Sequence, residues 1–164
     1  MKLQTAKRIC IMFCVNHVLA GTFAYPLKRK LLRSAGYEIG EGTRICGPLF
    51  CTGTLRIGRD CWIGRDLRVE GNGTVEIGDR CDLAPSVLFL TGGHAVGDRN
   101  RRAGKGEHYR IRIGDGVWIG ARATVARNTT VGDGSVIAAC AYVGKDVPEN
   151  QLVGGVPARV IREL

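Results

Sequence analysis

Residues 113–144 read IGDGVWIGARATVARNTTVGDGSVIAACAYVG, and in this stretch an aliphatic, mostly β-branched residue followed by a small one returns every six residues. The pairs are Ile113-Gly114, Ile119-Gly120, Val125-Ala126, Val131-Gly132, Ile137-Ala138 and Val143-Gly144. A period of six fits neither the 3.6 residues of a helix nor the 2.0 of a single strand, so it is treated as an internal repeat. Four residues after most of these anchors stands a second modest side chain: Val117, Ala123, Thr129, Ser135 and Ala141. This pattern predicts a coil of short strands and tight corners that stack at about 4.8 Å.

The same six-residue phase begins at Ile39 and runs to residue 113 with two interruptions. Three anchors to a coil give five coils of 18 positions, which begin at residues 39, 57, 77, 113 and 131. In residues 70–73 the six-residue phase of the anchors shifts by two residues, which predicts a longer corner there. The pattern is lost from Thr91 to Arg112, which places 18 extra residues between the third and fourth coils. In a rigid repeat scaffold, one long irregular loop of this kind is where function is expected.

Composition supports a single domain with a narrow aliphatic core. The chain has 164 residues, of which 45% are hydrophobic and 6% aromatic, enough to bury a core. The 24 glycines are well above average usage, and their regular placement indicates turns. The net charge of +9 favours an anionic ligand.

The seven cysteines have irregular spacing and form no C-x-x-C pair. Cys61 and Cys81 occupy the small inward slot and Cys51 stands at an anchor position, so we expect them to be buried as small hydrophobic residues. A buried thiol away from positive charge is inert, and this argues against a catalytic cysteine. Reduced thiols predict a cytoplasmic protein.

Residues 1–35 do not carry the repeat and are predicted to form a helical cap, with residues 36–164 forming the coil and a C-terminal tail. Asn16 and His17 interrupt the apolar segment from Ile9 to Leu27, which argues against a transmembrane span. A helix that also rests on a membrane surface, which would make the protein peripheral at the inner face, and a cleaved signal peptide are the alternatives. The basic run of residues 28–33 suits an anionic surface or a solvated face.

His94 is the candidate general base. It follows Thr91-Gly92-Gly93 at the end of the third coil and precedes a basic, glycine-containing segment, where we expect partial exposure. Imidazole has an unperturbed pKa near 6.5, which suits it to accept a hydroxyl proton at neutral pH.

The sequence resembles the hexapeptide-repeat acyltransferases, specifically the maltose and galactoside O-acetyltransferase-like branch. The resemblance covers about residues 36–164 and is carried by the IGDGVWIG of residues 113–120, the KDVP of residues 145–148 and the GVPARVIR of residues 155–162. The stretch from Ile77 to His94 is similar to the segment that places the catalytic histidine of that family. Asn16-His17 and the basic, leucine-rich run after it resemble acetyltransferases of capsule and exopolysaccharide biosynthesis.

The resemblance implies a left-handed parallel β-helix, a homotrimer, and acetyl-CoA bound between neighbouring subunits. His94 would be the base that activates an acceptor hydroxyl for direct attack on the thioester, without an acyl-enzyme. The residues that fall on positions contacting the acyl donor are Trp118, Ala121, Ala139, Gly144, Lys145, Arg159 and Arg162. Trp118 would line the cleft, the Ala121 N–H would face the thioester carbonyl, and Arg159 and Arg162 would meet the phosphates.

Two features that bear on binding of the acceptor have to be considered beside the family pattern. At the position where the family has an acceptor-binding asparagine, this sequence has Glu70, and Asn72 is nearby. The role therefore falls to one of these two residues. The loop arginines Arg99, Arg101 and Arg102 would hold an anionic saccharide acceptor, because guanidinium pairs with carboxylate and phosphate. A solvated loop that packs on a neighbouring subunit is the alternative.

Four other functions are weighed. The same repeat supports zinc-dependent carbonic anhydrases with three histidine ligands, but only His94 and His108 are expected near the coil, and no metal is predicted. The low aromatic count argues against nucleic acid. A non-catalytic, polyanion-binding trimeric scaffold, or transfer to another small hydroxylated or amino acceptor, remains the alternative.

Overall fold

A computed structural model describes residues 2–164 of the chain, with side chains from Thr5 onward. The chain forms a left-handed parallel β-helix, as the family resemblance implies, with helices at its N-terminal end, where the repeat is missing. Helix α1 (Lys2–Phe13) continues into a π-helical segment (Cys14–Val18) and is followed by α2 (Tyr25–Ser34).

Nineteen short strands follow the helices within the described part of the chain. In chain order they are β1 (Glu38–Ile39), β2 (Arg44–Ile45), β3 (Leu49–Cys51), β4 (Thr54–Ile57), β5 (Trp62–Ile63), β6 (Leu67–Glu70), β7 (Thr74–Ile77), β8 (Asp82–Leu83), β9 (Leu88–Leu90), β10 (Gly92–Val96), β11 (Ala103–His108), β12 (Arg110–Ile113), β13 (Trp118–Ile119), β14 (Thr124–Ala126), β15 (Thr130–Val131), β16 (Val136–Ile137), β17 (Tyr142–Val143), β18 (Gln151–Gly155) and β19 (Ala158–Glu163).

The strands form three parallel faces of a triangular prism. Sheet 1 has the order β1-β4-β7-β12-β15, sheet 2 contains β2-β5-β8-β13-β16-β18, and sheet 3 has the order β3-β6-β9-β14-β17. The five strands in sheets 1 and 3 give the five predicted coils. A sixth coil begins where Val147 bridges Val131 and β18 pairs with β16. Strand β19 then turns back and pairs antiparallel with β18.

The predicted anchors fill the prism. Ile45, Ile63, Leu83, Ile119 and Ile137 are all fully buried in one column of sheet 2. Burying a side chain of this size contributes about 1.5 to 3 kcal/mol, so the stacked columns supply the main stabilisation of the fold. The residue after each anchor is small because the next coil lies close to it. A Cβ on Gly120 would stand 2.5 Å from the backbone nitrogen of Ala139 in the next coil.

Aspartates at the corner between sheets 1 and 2 hold successive coils together. The Asp79 carboxylate accepts the Arg59 N–H at 2.7 Å, Asp115 accepts the Asp79 N–H at 2.9 Å, and Asp133 accepts the Asp115 N–H at 2.8 Å. Each acid therefore satisfies a backbone donor of the coil before it. This ladder explains why Gly-Asp follows the anchors Ile77, Ile113 and Val131.

The inward slot at the same corner is polar as well as small. Cys61 and Cys81 are buried, as predicted. Their thiols also donate to the carbonyl oxygens of Gly78 at 3.1 Å and Gly114 at 3.0 Å. Ser135 makes the equivalent bond in a later coil, to Pro148 O at 2.8 Å. Cys51 is only half-buried.

The long insertion is an ordered hairpin, and the prediction of an irregular loop was wrong. Strands β10 and β11 pair antiparallel, with His94 opposite Gly106 and a bulge between His94 and Val96. The hairpin leaves the coil at Thr91 and returns at Tyr109, whose N–H donates to Thr91 O at 2.8 Å. Its side chains do not reach the core, so the hexapeptide pattern carries no sign of its strands.

The helices pack on the first coil through Ile11, Val15 and Leu32, which are buried in the same core as the anchors. Asn16 makes the most specific contact. Its side-chain amide donates to Leu49 O and its side-chain oxygen accepts the Leu49 N–H, both at 2.9 Å. Among the described residues, no helix is both long enough and apolar enough to cross a membrane.

The interpretation of residues 28–33 as a basic face for solvent or an anionic surface needs correction. Lys28 is fully buried, donates to the carbonyl of Gly21 and lies over the ring of Tyr25. Burial lowers its pKa. Arg29 and Arg33 both pair with Glu41 of the first coil. These cations bind the helices to the coil, and only Lys30 of the run remains a plain surface charge.

Replacement of Asn16 by alanine is expected to loosen the helices from the coil. It leaves the N–H and C=O of the buried Leu49 without partners, at a cost of about 2 to 4 kcal/mol in the free energy of unfolding. Denaturant unfolding followed by circular dichroism measures the loss. Asn100→Ala, in the exposed turn of the hairpin, is the matched control and should unfold with the unchanged protein. Equal stability of Asn16→Ala would show that this contact does not anchor the helices.

Candidate active site

His94 is exposed near the middle of β10, on the corner between sheets 3 and 1. Its Nδ1 lies 2.9 Å from the carbonyl oxygen of Gly104 on the other half of the hairpin. A carbonyl oxygen only accepts hydrogen bonds, so Nδ1 must carry the proton. The neutral ring then holds its lone pair on Nε2. This is the tautomer in which an imidazole can accept a proton from a substrate.

The predicted acceptor residues Glu70 and Asn72 lie at the foot of this hairpin. The longer corner of residues 70–73 places Gly71, with φ of +104°, directly against the backbone of Gly92, where a Cβ would collide. Glu70 accepts the Thr91 N–H through its carbonyl at 2.8 Å, and its carboxylate lies 3.9 Å from Arg68. Asn72 is exposed.

A small cavity of about 170 Å³ opens beside His94. Three of its polar side chains, Tyr109, Arg127 and Tyr142, were not anticipated from the sequence. The Tyr109 hydroxyl donates to the Glu107 carboxylate at 2.7 Å, and this hydrogen bond raises the pKa of Tyr109. The remaining lining residues are Leu90, Gly92, Gly93 and Ala126.

A larger cavity of about 690 Å³ lies next to the first, at the end of the prism. It brings together three predicted donor-binding residues, Gly144, Lys145 and Arg159. Tyr142 lines both cavities, which places the cations of the larger cavity on the same corner as His94. Arg162 lies further along β19, opposite Leu152, and does not line this cavity.

Trp118, Ala121 and Ala139 lie elsewhere on the prism. Trp118 faces outward from sheet 2, where it lines a shallow cavity with Trp62 and Asp82. Ala121 and Ala139 form the corner between sheets 2 and 3, one coil apart. Within one chain the predicted site is therefore divided between two corners of the prism.

The arginines of the insertion lie at the tip of the hairpin. Arg99, Arg101 and Arg102 are exposed in the turn between β10 and β11, and Arg102 donates to Gly97 O at 3.3 Å. They do not line the cavity beside His94. The cation that the structure places there is Arg127.

The cysteines offer no reactive thiol near His94. Burial raises the pKa of Cys51 to about 11. Cys10 and Cys140 are exposed, on α1 and on the corner after Ala139. Within residues 5–164, no group of three or more His, Cys, Asp and Glu side chains is arranged to hold a metal ion.

A thiol-reactive dye at pH 8 is expected to label Cys10 and Cys140 first. Cys51 should stay unlabelled until the protein unfolds, because a thiol with a pKa of about 11 holds very little of the reactive thiolate at that pH. Peptide mass spectrometry of the native and denatured protein identifies the modified cysteines. Fast labelling of Cys51 in the native protein would contradict its described environment.

Comparisons with known proteins identify the family of this fold. A family described as "Bacterial transferase hexapeptide (six repeats)" matches residues 110–145. Galactoside O-acetyltransferase of Escherichia coli K12 is 34% identical over 84% of this chain and 68% of its own length. The protein provisionally named colanic acid biosynthesis acetyltransferase WcaF, from the same organism, is 30% identical over 85% of this chain and 76% of its own length.

Two solved structures are similar over nearly the whole chain. A hexapeptide-repeat-containing acetyltransferase of Vibrio cholerae O1 biovar eltor, complexed with acetyl-CoA, is 29% identical with a TM-score of 0.86, covering 99% of this chain and 88% of that chain. A galactoside acetyltransferase in complex with coenzyme A is 31% identical with a TM-score of 0.84, covering 99% of this chain and 83% of that chain.

Proposed function

This chain belongs to the hexapeptide-repeat acyltransferase family, and from that premise we propose that it transfers an acetyl group from acetyl-CoA to a hydroxyl of a saccharide, with His94 as the general base. The observation that carries this proposal is the contact of His94 Nδ1 with Gly104 O at 2.9 Å. This contact supports the role of a base, because it leaves Nε2 as the nitrogen that can accept a proton, beside a cavity. Residues 36–164 form the catalytic body and residues 1–35 its cap.

The reaction moves one proton from the acceptor hydroxyl to His94 and then from His94 to the sulfur of coenzyme A. When bound, acetyl-CoA supplies the acetyl group as a thioester. His94 Nε2 accepts the hydroxyl proton as the acceptor oxygen bonds to the acetyl carbon, and it returns that proton to the sulfur as the carbon–sulfur bond breaks. The base must lie within about 3 Å of the hydroxyl, and the paired hairpin strands hold it in place. The Ala121 N–H would stabilise the developing charge on the carbonyl oxygen.

The larger cavity fits the donor. Coenzyme A carries several negative charges, and Lys145 and Arg159 present cations at the cavity that adjoins His94 through Tyr142. Gly144 leaves room for the pantetheine arm there, and Arg162 adds a cation further along β19. The net charge of +9 draws an anionic donor to the protein.

The division of the site between two corners supports a homotrimer with shared sites. His94, Lys145 and Arg159 would come from one subunit, and Trp118, Ala121 and Ala139 from its neighbour. Copies of a prism arranged around a threefold axis bring unlike corners together, which is a heterologous closed contact.

The acceptor is proposed to be a saccharide of surface polysaccharide assembly. The similar proteins named for galactoside and colanic acid acetylation support a sugar acceptor. Glu70 and Asn72 at the foot of the hairpin and Arg99, Arg101 and Arg102 at its tip are proposed to contact it.

A cytoplasmic location is proposed from the free cysteines, which fit a reducing compartment. Peripheral contact with the inner face of the membrane is proposed through the cap. Ile9, Phe13 and Val18 are each at least 61% exposed there, which gives an apolar surface of the kind that rests on lipid.

Replacement of His94 by alanine is expected to lower turnover by about 10²- to 10⁴-fold, because the acceptor proton loses its base. The KM for acetyl-CoA should change little, since the donor binds in the other cavity. Thiol release from acetyl-CoA with a panel of sugars measures both. His108→Ala, on the opposite strand of the hairpin, is the control and should keep full activity. Unchanged turnover in His94→Ala would remove the proposed base.

The shared site is tested by mixing two impaired variants, His94→Ala and Trp118→Ala, in one refolded population. If each site uses His94 of one subunit and Trp118 of its neighbour, random assembly should restore about a quarter of the sites. Light scattering checks that the assembly is a trimer. Activity no higher than the mean of the two separate variants would show that each subunit forms its site alone.

A further inference from the structure

Arg127 is a cation that lines the small cavity beside the proposed base, and the function above does not use it. It occupies the corner after β14, where its backbone has a φ of +66° and its side chain is exposed. It lines the same small cavity as His94. Its positive charge also acts on the Tyr109 hydroxyl across that cavity.

Among the described residues, Arg127 differs from its neighbours in having no carboxylate partner. Arg110 and Arg112, on the adjoining strand of sheet 1, pair with Glu76 at 2.6 and 3.5 Å. The nearest acid on the hairpin, Glu107, is hydrogen-bonded to Tyr109. The cavity beside His94 therefore presents a guanidinium that the chain itself does not neutralise.

We propose that Arg127 binds a negatively charged group of the acceptor, so that the enzyme selects acidic saccharides carrying a carboxylate near the acetylated hydroxyl. This inference rests on the proposed function, and it specifies that the acceptor carries a negative charge. Guanidinium presents two parallel N–H donors that match the two oxygens of a carboxylate. The reacting hydroxyl must lie at His94, so a group that Arg127 holds belongs to the same sugar residue or its neighbour.

The size and walls of the cavity agree with this assignment. A volume of about 170 Å³ holds a single small ring. The rings of Tyr109 and Tyr142 offer apolar faces against which such a ring can pack. A phosphate of coenzyme A is the other anion that could reach Arg127. The donor's cations, Lys145 and Arg159, line the other cavity, which favours the acceptor as the source of the charge.

The test compares two acceptors that differ only at C6, methyl β-glucoside and methyl β-glucuronide. The unchanged protein is expected to acetylate the glucuronide with the lower KM. Arg127→Gln should raise that KM about 10-fold through loss of one charge-assisted contact. The KM values for the glucoside and for acetyl-CoA should stay the same, and Arg127→Lys should recover part of the loss. Glutamine, lysine and arginine bear the same backbone strain at this corner, so the variants are comparable in folding.

Arg65→Gln is the matched control, because Arg65 is another exposed corner arginine, placed between sheets 2 and 3. Equal KM values for the two glycosides in the unchanged protein, or no change in Arg127→Gln, would overturn the inference. A higher KM for acetyl-CoA with both glycosides would assign Arg127 to a donor phosphate and also overturn it.

Calorimetric binding of the same two glycosides in the presence of coenzyme A separates this inference from the proposed function. If neither glycoside is acetylated but the glucuronide binds more tightly and loses that advantage in Arg127→Gln, the assignment of Arg127 stands and the proposed reaction fails. If the two glycosides bind alike, or neither binds, the assignment of Arg127 fails.

Discussion

The fold depends on the close vertical approach of successive coils. Backbone N–H groups along the prism donate to carbonyl groups of the next coil, as in Gly40 N to Ile57 O at 2.8 Å and Gly58 N to Ile77 O at 2.8 Å. This spacing leaves little room for a side chain on the residue that follows an anchor, and a Cβ on Gly58 would meet the Gly78 backbone at 2.5 Å. The alternation of a large anchor and a small partner is therefore a consequence of backbone hydrogen bonding along the prism.

A stiff stack of this kind determines where chemistry can occur. The core columns and the aspartate ladder repeat from coil to coil, so they do not distinguish one coil as the position of an active site. The hairpin between Thr91 and Tyr109 interrupts one coil without disturbing the stack, because its two ends are joined by a hydrogen bond of 2.8 Å. It projects His94 over the corner where Arg127 and Tyr142 of later coils also face outward. The site is thus assembled from parts that are remote in sequence and adjacent in the stack.

The sequence predicts the repetitive part of this molecule well. Every coil start is an anchor, and Ile39, Ile57, Ile77, Ile113 and Val131 are all buried. The candidate base follows from the longer of the two interruptions in the six-residue period, between Thr91 and Arg112. The strands of the hairpin could not be predicted in this way, because they bury no periodic face. The contacts of Asn16 and Lys28 were also missed. Asn16 meets Leu49 only when the cap docks on the coil, and Lys28 donates to the carbonyl of Gly21, in the segment that leads into its helix.

The final antiparallel pair has a consequence for the behaviour of the protein in solution. A parallel stack of short strands ends in a row of unpaired backbone groups, which is a template for adding another chain end to end. Here β18 continues sheet 2 by one more rung, and β19 folds back along it in the opposite direction. The helices occupy the other end of the stack. Strand β19 therefore gives the end of sheet 2 an edge that runs against the direction of the stack, which opposes the end-to-end addition of a second prism there.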